Sequence, residues 1–104
     1  MDEIEYRTRL AVIRTAIGPE EYFEDFMERG VKRAKEIITS LLKENSSGLS
    51  YGELELLVGK ELESVNIRNW TDAWKLDAFM LALAGLELEE KKINERKGIY
   101  FLSE

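Results

Sequence analysis

The sequence contains no cysteine and no histidine among its 104 residues. Without cysteine there is no disulfide scaffold, no thiolate nucleophile and no zinc–sulfur site. Without histidine there is no side chain that titrates near neutral pH unaided, no Ser–His pair and no histidine metal ligand. The sequence also lacks a glycine-rich phosphate loop, a Gly-x-Ser-x-Gly motif and a spaced acidic metal motif. We therefore expect no enzyme activity, no cofactor and no metal ion.

Long apolar runs are missing as well, since none approaches the roughly 20 residues that a bilayer-spanning helix needs. The first residues, Met1 to Glu5, are acidic where a secretion signal would be basic and then apolar. We therefore expect a soluble, cytoplasmic protein with no membrane partner.

Glutamine is absent too, and 17 glutamates stand beside 15 lysines and arginines. This composition is similar to that of hyperthermophile proteins, which are rich in ion pairs and poor in thermolabile side chains. Apolar residues make up 44% of the chain and charged residues 35%, for a net charge of −6. Because the two kinds are closely interleaved and the chain is short, we expect one compact domain.

Apolar spacing predicts two helices in the first half of the chain. Tyr6, Leu10, Ile13 and Ile17 form one stripe at offsets of four, three and four residues, which predicts a helix over 3–17. Gly18-Pro19 ends that helix and starts a second over 19–45, because proline fits the first helical turn. The position of Gly30 is compatible with a kink, a break into two helices, or close packing by a neighbour.

Turn and cap residues predict two further helices. Ser50 and Glu53 have the spacing of a capping box, which predicts a helix over 51–63. Residues 64–70 are interpreted as an ordered connector. Thr71 is the expected cap of a helix that reaches Ala84 and is apolar all round over 78–84, so we expect that part to be buried on all sides. Gly85 is expected to end it in the left-handed conformation.

The C-terminal residues predict a β-hairpin. Its first strand is placed at 86–93, its turn at 94–98 and its second strand at 99–102. The predicted fold class is therefore mainly α with a small C-terminal β-hairpin. An all-helical bundle with a frayed C-terminus is the alternative.

From about Val31 onward this order of elements resembles the winged helix-turn-helix superfamily. The resemblance rests on Ile37-Ile38 and Leu41-Leu42 in the first helix, on 48–54 as a short strand entering the second helix, on Ala84-Gly85-Leu86 after the third helix, and on 87–102 as the wing. It implies an N-terminal helical extension over 1–30, for dimerisation or for covering the core, and a winged-helix domain over 31–104. The connector between the second and third helices is longer than the tight turn of typical DNA-binding members.

The resemblance also implies contacts with double-stranded DNA, because in the family the third helix reads bases and the wing touches the backbone. The corresponding positions at the start of the third helix are Arg68, Asn69, Thr71 and Lys75, and those of the wing are Lys91, Lys92, Arg96 and Lys97. Charge near the helix is mixed, since Asp72 and Asp77 lie beside Lys75. For the wing, the competing interpretation is a solvated hairpin balanced by Glu87, Glu89, Glu90 and Glu95.

Two smaller groups of residues also have competing interpretations. The carboxylates of Glu21, Asp25 and Glu28 share a helical face that suits a hard cation, but such residues more often match the helix dipole and form surface salt bridges. Trp70 and Trp74 are interpreted as core anchors, with a ligand cleft as the alternative.

The apolar content exceeds what a winged domain alone needs. The strand 99–102 is apolar on both faces, and the helix over 78–84 is apolar all round. These apolar faces must be covered by other parts of the protein, and the candidates are the N-terminal helix, the aromatic start of the second helix, or another subunit. We predict a homodimer or a stable heterocomplex through residues 4–27, with an interface of Tyr6, Leu10, Ile13, Ile17, Tyr22, Phe23 and Phe26.

The sequence therefore predicts a small dimeric winged-helix protein that acts in transcription regulation or another DNA transaction, with its wing near phosphates. The alternative is an acidic winged-helix adaptor that binds a protein partner and makes no direct contact with DNA.

Overall fold

The computed structural model describes residues 1–63 and 72–103. In these ranges the chain folds into four helical rods and a small three-stranded antiparallel sheet, which confirms the predicted class of mainly α with a small C-terminal hairpin. The expected connector 64–70, its Trp70 and the expected cap Thr71 lie outside the described residues.

The first rod is α1, Glu3–Ile17, as predicted. A side-chain oxygen of Asp2 accepts a hydrogen bond of 2.8 Å from the backbone N–H of Glu5, which satisfies one of the free donors in the first turn. Gly18, at φ +88°, ends the helix. Tyr6 and Ile13 are buried on its inner face.

The second rod comprises α2 (Glu20–Asp25), a π-helical stretch π1 (Phe26–Lys32) and α3 (Arg33–Glu44). Gly30 lies buried inside π1, so the rod is not broken into two helices there. The wider turns of a π-helical stretch hold more residues than α-helical turns and so change which side chains face the core. The boundary predicted between an N-terminal extension (1–30) and a winged-helix domain (31–104) falls within this continuous rod.

The capping box at the start of α4 (Tyr51–Glu63) is confirmed. The N–H of Glu53 donates to Ser50 Oγ, and the N–H of Ser50 donates to Glu53 Oε1, both at 3.2 Å. The two-residue strand β1 (Leu49–Ser50) leads into this helix.

The fourth rod corrects the prediction for residues 86–92. After α5 (Asp72–Ala84) the chain continues as a second π-helical stretch, π2 (Gly85–Glu89), instead of ending at Gly85 and starting a strand. In the described chain the glycines with positive φ are Gly18, Gly48 and Gly98. Gly85 therefore does not adopt the expected left-handed conformation. Leu86 lies in this helical stretch, and its side chain belongs to the core, with 2% exposed.

The hairpin turn is also tighter than predicted. Strand β2 spans Ile93–Arg96 and β3 spans Ile99–Leu102, so the connection is the two residues Lys97 and Gly98 instead of 94–98. Both have positive φ, +55° and +80°, as a type I′ turn requires. Because this turn matches the twist of the strands, Asn94 to Arg96 pair with β3.

The sheet order is β1-β3-β2. Asn94 lies opposite Phe101, and Arg96 lies opposite Ile99, so these four side chains share one face. The other face turns toward the core, where Ile93 is 2% exposed. One hydrophobic cluster joins that face to all four rods, from Tyr6 in α1 to Leu86 in π2.

Candidate nucleic-acid interface

The four basic residues predicted for the wing are all exposed. Lys91 and Lys92 precede β2, Arg96 ends it and Lys97 is the first residue of the turn. Two backbone hydrogen bonds fix the base of the hairpin: the N–H of Lys92 donates to the carbonyl of Leu86 at 2.9 Å, and the N–H of Ser103 donates to the carbonyl of Lys92 at 2.8 Å. The hairpin is therefore held against the end of the fourth rod.

The neighbouring carboxylates neutralise only part of this positive charge. Lys92 pairs with Glu90 at 3.3 Å, and Glu95 accepts a hydrogen bond from the backbone N–H of Gly98 in the turn. Among the described residues, the ion pairs within 4 Å do not include Lys91, Arg96 or Lys97. Three exposed cations at the hairpin are thus available to an anionic partner.

The third helix offers a different environment. Lys75 is half-buried in a cleft of about 260 Å³ between α4 and α5, which Glu55 and Glu63 also line. Burial raises the pKa of the Asp77 carboxyl, against the opposing effect of Arg9. The carboxylates of Glu55 and Glu63 in the cleft beside Lys75 repel phosphate. The other candidates for this helix, Arg68, Asn69 and Thr71, lie outside the described residues.

A groove that the sequence analysis missed lies between the end of α3 and the hairpin. We call it the hairpin groove; it has a volume of about 680 Å³. Its lining residues are Leu42, Lys43, Ser46, Asn94, Arg96, Phe101, Leu102 and Ser103. It combines two basic side chains with an aromatic ring and none of its lining residues is acidic, although the chain carries a net charge of −6. No local signal in the sequence marks this groove, because its lining residues come from separate elements; the prediction of a turn at 94–98 also left Asn94 and Arg96 outside a strand.

Gly48 fixes the position of the aromatic ring in the hairpin groove. A Cβ atom at Gly48 would lie 2.7 Å from Phe101 Cε1, 2.5 Å from Ile99 Cγ2 and 2.8 Å from the carbonyl oxygen of Tyr100. Its φ of +87° is a conformation that other residues rarely adopt. Only glycine therefore allows β3 to approach the loop this closely.

A polar cluster ties the base of the hairpin to the second rod. Lys35 Nζ lies 2.8 Å from Glu90 Oε2, and Gly85 leaves room for it, since a Cβ at Gly85 would lie 3.1 Å from Lys35 Cε. The hydrogen bond from Lys35 is the main cause that lowers the pKa of the Glu90 carboxyl, and Lys92 adds to it. The absence of a side chain at Gly85 thus serves packing.

The same cluster includes α1. Burial raises the pKa of the Tyr6 hydroxyl, and its hydrogen bond to the Glu89 carboxylate and the negative charges of Glu89 and Glu90 raise it further. Because Tyr6 is 4% exposed, α1 is held against π2 by a buried ring that has a polar partner.

The residues predicted for a dimer interface belong mostly to the core of this chain. Tyr6, Ile13, Phe23 and Phe26 are buried, and Leu10 and Ile17 pack partly buried against the same cluster. Tyr22 is 61% exposed. The N-terminal helix and the aromatic start of the second rod therefore supply the cover that the apolar helix over 78–84 needs.

Of the three carboxylates predicted to share a face of the second rod, Asp25 and Glu28 form surface salt bridges, whereas Glu21 is exposed and belongs to none of the ion pairs within 4 Å in the described residues. Asp25 pairs with Arg29 at 3.1 Å, and Glu28 pairs with Lys32 at 3.0 Å. No cluster of three or more metal-ligating side chains is found in the described part of the chain. Trp74 is half-buried, with its ring edge-to-face to Phe26 at 6.0 Å between centroids, as a core anchor would be.

Comparisons of the chain with models of protein families, with curated proteins and with solved structures find no match. The winged-helix resemblance therefore stays a prediction.

Across residues 1–63 and 72–103, no helix combines the length and the apolar character needed to cross a bilayer.

Proposed function

We propose that this chain is a small winged-helix DNA-binding protein, a transcription regulator or another DNA-transaction factor, that contacts the phosphate backbone with its hairpin. The observation that carries the proposal is the set of three exposed cations, Lys91, Arg96 and Lys97, which have no ion-pair partner within the described residues. Unpaired cations on a protruding element are the features that neutralise phosphates.

The order of elements supports the same proposal. The order of α3, β1, α4, α5 and the β2–β3 hairpin is the one expected of a winged-helix domain, and β1 pairs with β3 to complete the small sheet. The hairpin is fixed at its base, so its cations are presented on a rigid element. The acidic cleft around Lys75 favours backbone contact through the hairpin over base reading by α5.

The test is the salt dependence of duplex DNA binding. Three phosphate contacts give a slope of about −2.7 in log K against log salt. We expect the double substitution Arg96→Glu and Lys97→Glu to abolish most of this binding. The control is Arg33→Glu with Lys60→Glu, which makes the same charge change at exposed sites away from the hairpin. Because Arg33 forms a surface ion pair with Glu36 at 3.4 Å, the stability of both double variants is measured beside their binding. Equal loss in both variants would show a general charge effect and contradict the proposal.

A protein-binding adaptor is the second candidate. Three exposed apolar side chains favour it: Ile4 is 78% exposed, and Val12 and Tyr22 are each 61% exposed. Two results together would favour the adaptor over the DNA-binding protein. One is that the chain does not slow the electrophoretic migration of duplex DNA even at low salt, and the other is a stable complex with a protein partner.

A homodimer is part of the proposal. Because most of the predicted interface residues are buried within the chain, a dimer would form through the exposed residues that remain in 4–27, such as Tyr22. Sedimentation equilibrium measures this directly, and a monomer at micromolar concentration would remove the dimer from the proposal.

A further inference from the structure

We propose that the hairpin groove binds a single-stranded segment of nucleic acid, with one unpaired base against Phe101 and its phosphates beside Lys43 and Arg96. This inference rests on the proposed nucleic-acid binding by the hairpin and specifies which form of nucleic acid the adjoining groove accepts.

The charge of the hairpin groove favours an anionic ligand. Lys43 and Arg96 come from opposite walls, and neither belongs to an ion pair within 4 Å in the described ranges. Two other clefts lined by described residues differ: Glu5 and Glu87 outnumber Arg9 in the cleft beside Tyr100, and Glu55 and Glu63 outnumber Lys75 in the cleft between α4 and α5. Phosphate groups are therefore attracted to the hairpin groove and repelled by those two clefts.

The aromatic ring supplies a platform for a base. Phe101 is partly exposed, and its ring borders the groove. The close approach of Gly48 holds one edge of the ring, so little conformational freedom is lost when a base stacks on it. Stacking on an aromatic ring beside cations is how proteins bind single strands without strong sequence preference.

The remaining lining groups suit the sugar and the base edge. Asn94 Nδ2 lies 3.4 Å from Ser103 Oγ, and both side chains are exposed together with that of Arg96 on the same part of the hairpin. Ser46 adds a hydroxyl from the opposite wall. These groups both donate and accept hydrogen bonds, as the edges of nucleobases do.

The shape of the site favours a single strand over a duplex. The volume of about 680 Å³ lies within the range of clefts that hold small organic ligands, which is about 300–1,000 Å³. Bases in a duplex are stacked on each other and paired, so they do not reach a ring inside such a groove. Duplex contact instead suits Lys97, which lies at the tip of the hairpin.

The experiment titrates the full chain into a short oligothymidylate that carries one 2-aminopurine, whose fluorescence falls when it stacks. Duplex DNA binding is measured in parallel. We expect Phe101→Leu to weaken oligothymidylate binding about tenfold and to remove the fluorescence decrease, with little effect on duplex binding. Leu56→Ala is the control, because it truncates an apolar side chain on α4 that is 61% exposed and does not line the hairpin groove.

A second variant keeps the test decisive if Phe101→Leu is unstable. We expect Lys43→Gln to weaken oligothymidylate binding several-fold and to reduce its salt slope by about 0.7, whereas Lys60→Gln leaves both unchanged. Duplex binding without oligothymidylate binding, or oligothymidylate binding that is insensitive to both variants, overturns the inference alone. Binding of neither DNA at low salt overturns the proposed function together with it.

Discussion

The hairpin and the third helix both carry lysines that the winged-helix resemblance would place against DNA, yet their surroundings differ. Lys75 on α5 is half-buried in a cleft that Glu55 and Glu63 also line, whereas Arg96 and Lys97 are exposed at the end of β2 and in the turn. None of these three cations belongs to an ion pair within 4 Å among the described residues. We therefore expect the placement of carboxylates, and not the number of lysines, to decide which of these two surfaces can approach phosphate. Four predictions test this comparison and the structural elements that support it.

The largest effect is expected at the loop beneath the hairpin. Gly48→Ala places a Cβ within 3 Å of three atoms, including the backbone oxygen of Tyr100, and forces alanine to φ +87°. We expect the free energy of unfolding to fall by about 2–4 kcal/mol, as measured by urea denaturation.

Gly52→Ala is the control for this substitution. Its Cβ would meet no atom within 4 Å, and Gly52 lies in the first turn of α4. We expect it to raise stability by about 0.5–1 kcal/mol, since alanine is the better helix former. Equal stability changes in the two variants would contradict the described packing of Gly48 on β3.

The second prediction compares the two basic surfaces directly. Arg96→Gln with Lys97→Gln should weaken duplex binding more than tenfold at low salt, because two phosphate contacts are lost. Lys75→Gln should change it less than about twofold, since its charge is already opposed by nearby carboxylates. Electrophoretic retardation at several salt concentrations measures both. A stronger effect of Lys75→Gln would shift the interface to the third helix.

The third prediction concerns the ion pair that anchors the base of the hairpin. Lys35→Met should lower the free energy of unfolding by about 1 kcal/mol at neutral pH, since the partly buried Glu90 carboxylate loses its main partner. Lys35 lowers the pKa of Glu90 below its ordinary value of 4.5. The stabilisation is therefore present above about pH 4.5 and is lost as the pH falls through the lower, folded-state pKa.

Urea denaturation of the wild type and of Lys35→Met at neutral and acidic pH checks this linkage. Their stabilities should converge in acid. A difference that is independent of pH would mean that Lys35 contributes by packing alone.

The smallest effect is expected at Tyr6. Its pKa in the folded chain is raised above its ordinary value of 10.0, so the folded state holds the proton more tightly. Stability from this group is complete below pH 10 and falls as the pH rises above that value, where the unfolded chain ionises.

Tyr6→Phe should cost about 0.5 kcal/mol at neutral pH through the lost hydrogen bond to Glu89, because water can hydrate the exposed Glu89 carboxylate instead. It should also weaken the alkaline loss of stability, as followed by thermal unfolding across a pH series. If the stability of the variant falls at alkaline pH as steeply as that of the wild type, ionisation of Tyr6 is not a cause of the alkaline loss.

Local signals in the sequence predicted most helix bounds. The stripe from Tyr6 to Ile17 and the capping box of Ser50 and Glu53 specify α1 and the start of α4 with contacts only a few residues apart, and both are confirmed. The extension of the fourth rod through Gly85 was missed because the glycine serves contact with Lys35, a tertiary feature that no local pattern records.

The candidate site could be predicted only in part. The sequence showed Arg96 and Lys97 as cations on a hairpin. It did not show that Asn94 and Glu95 belong to β2, because polar residues of these types are typical of a turn. The hairpin groove was not predictable, because Lys43 and Phe101 belong to different elements that meet only when the sheet packs beside α3.

The most direct test of the account is amide chemical-shift mapping while DNA is added to the labelled chain at low salt. We expect the largest shifts at Lys91, Arg96 and Lys97 for duplex DNA, with further shifts at Lys43 and Phe101 for a single strand. Shifts centred on Lys75 and the rest of α5, or no shifts at all, would contradict the claim that the hairpin is the nucleic-acid interface.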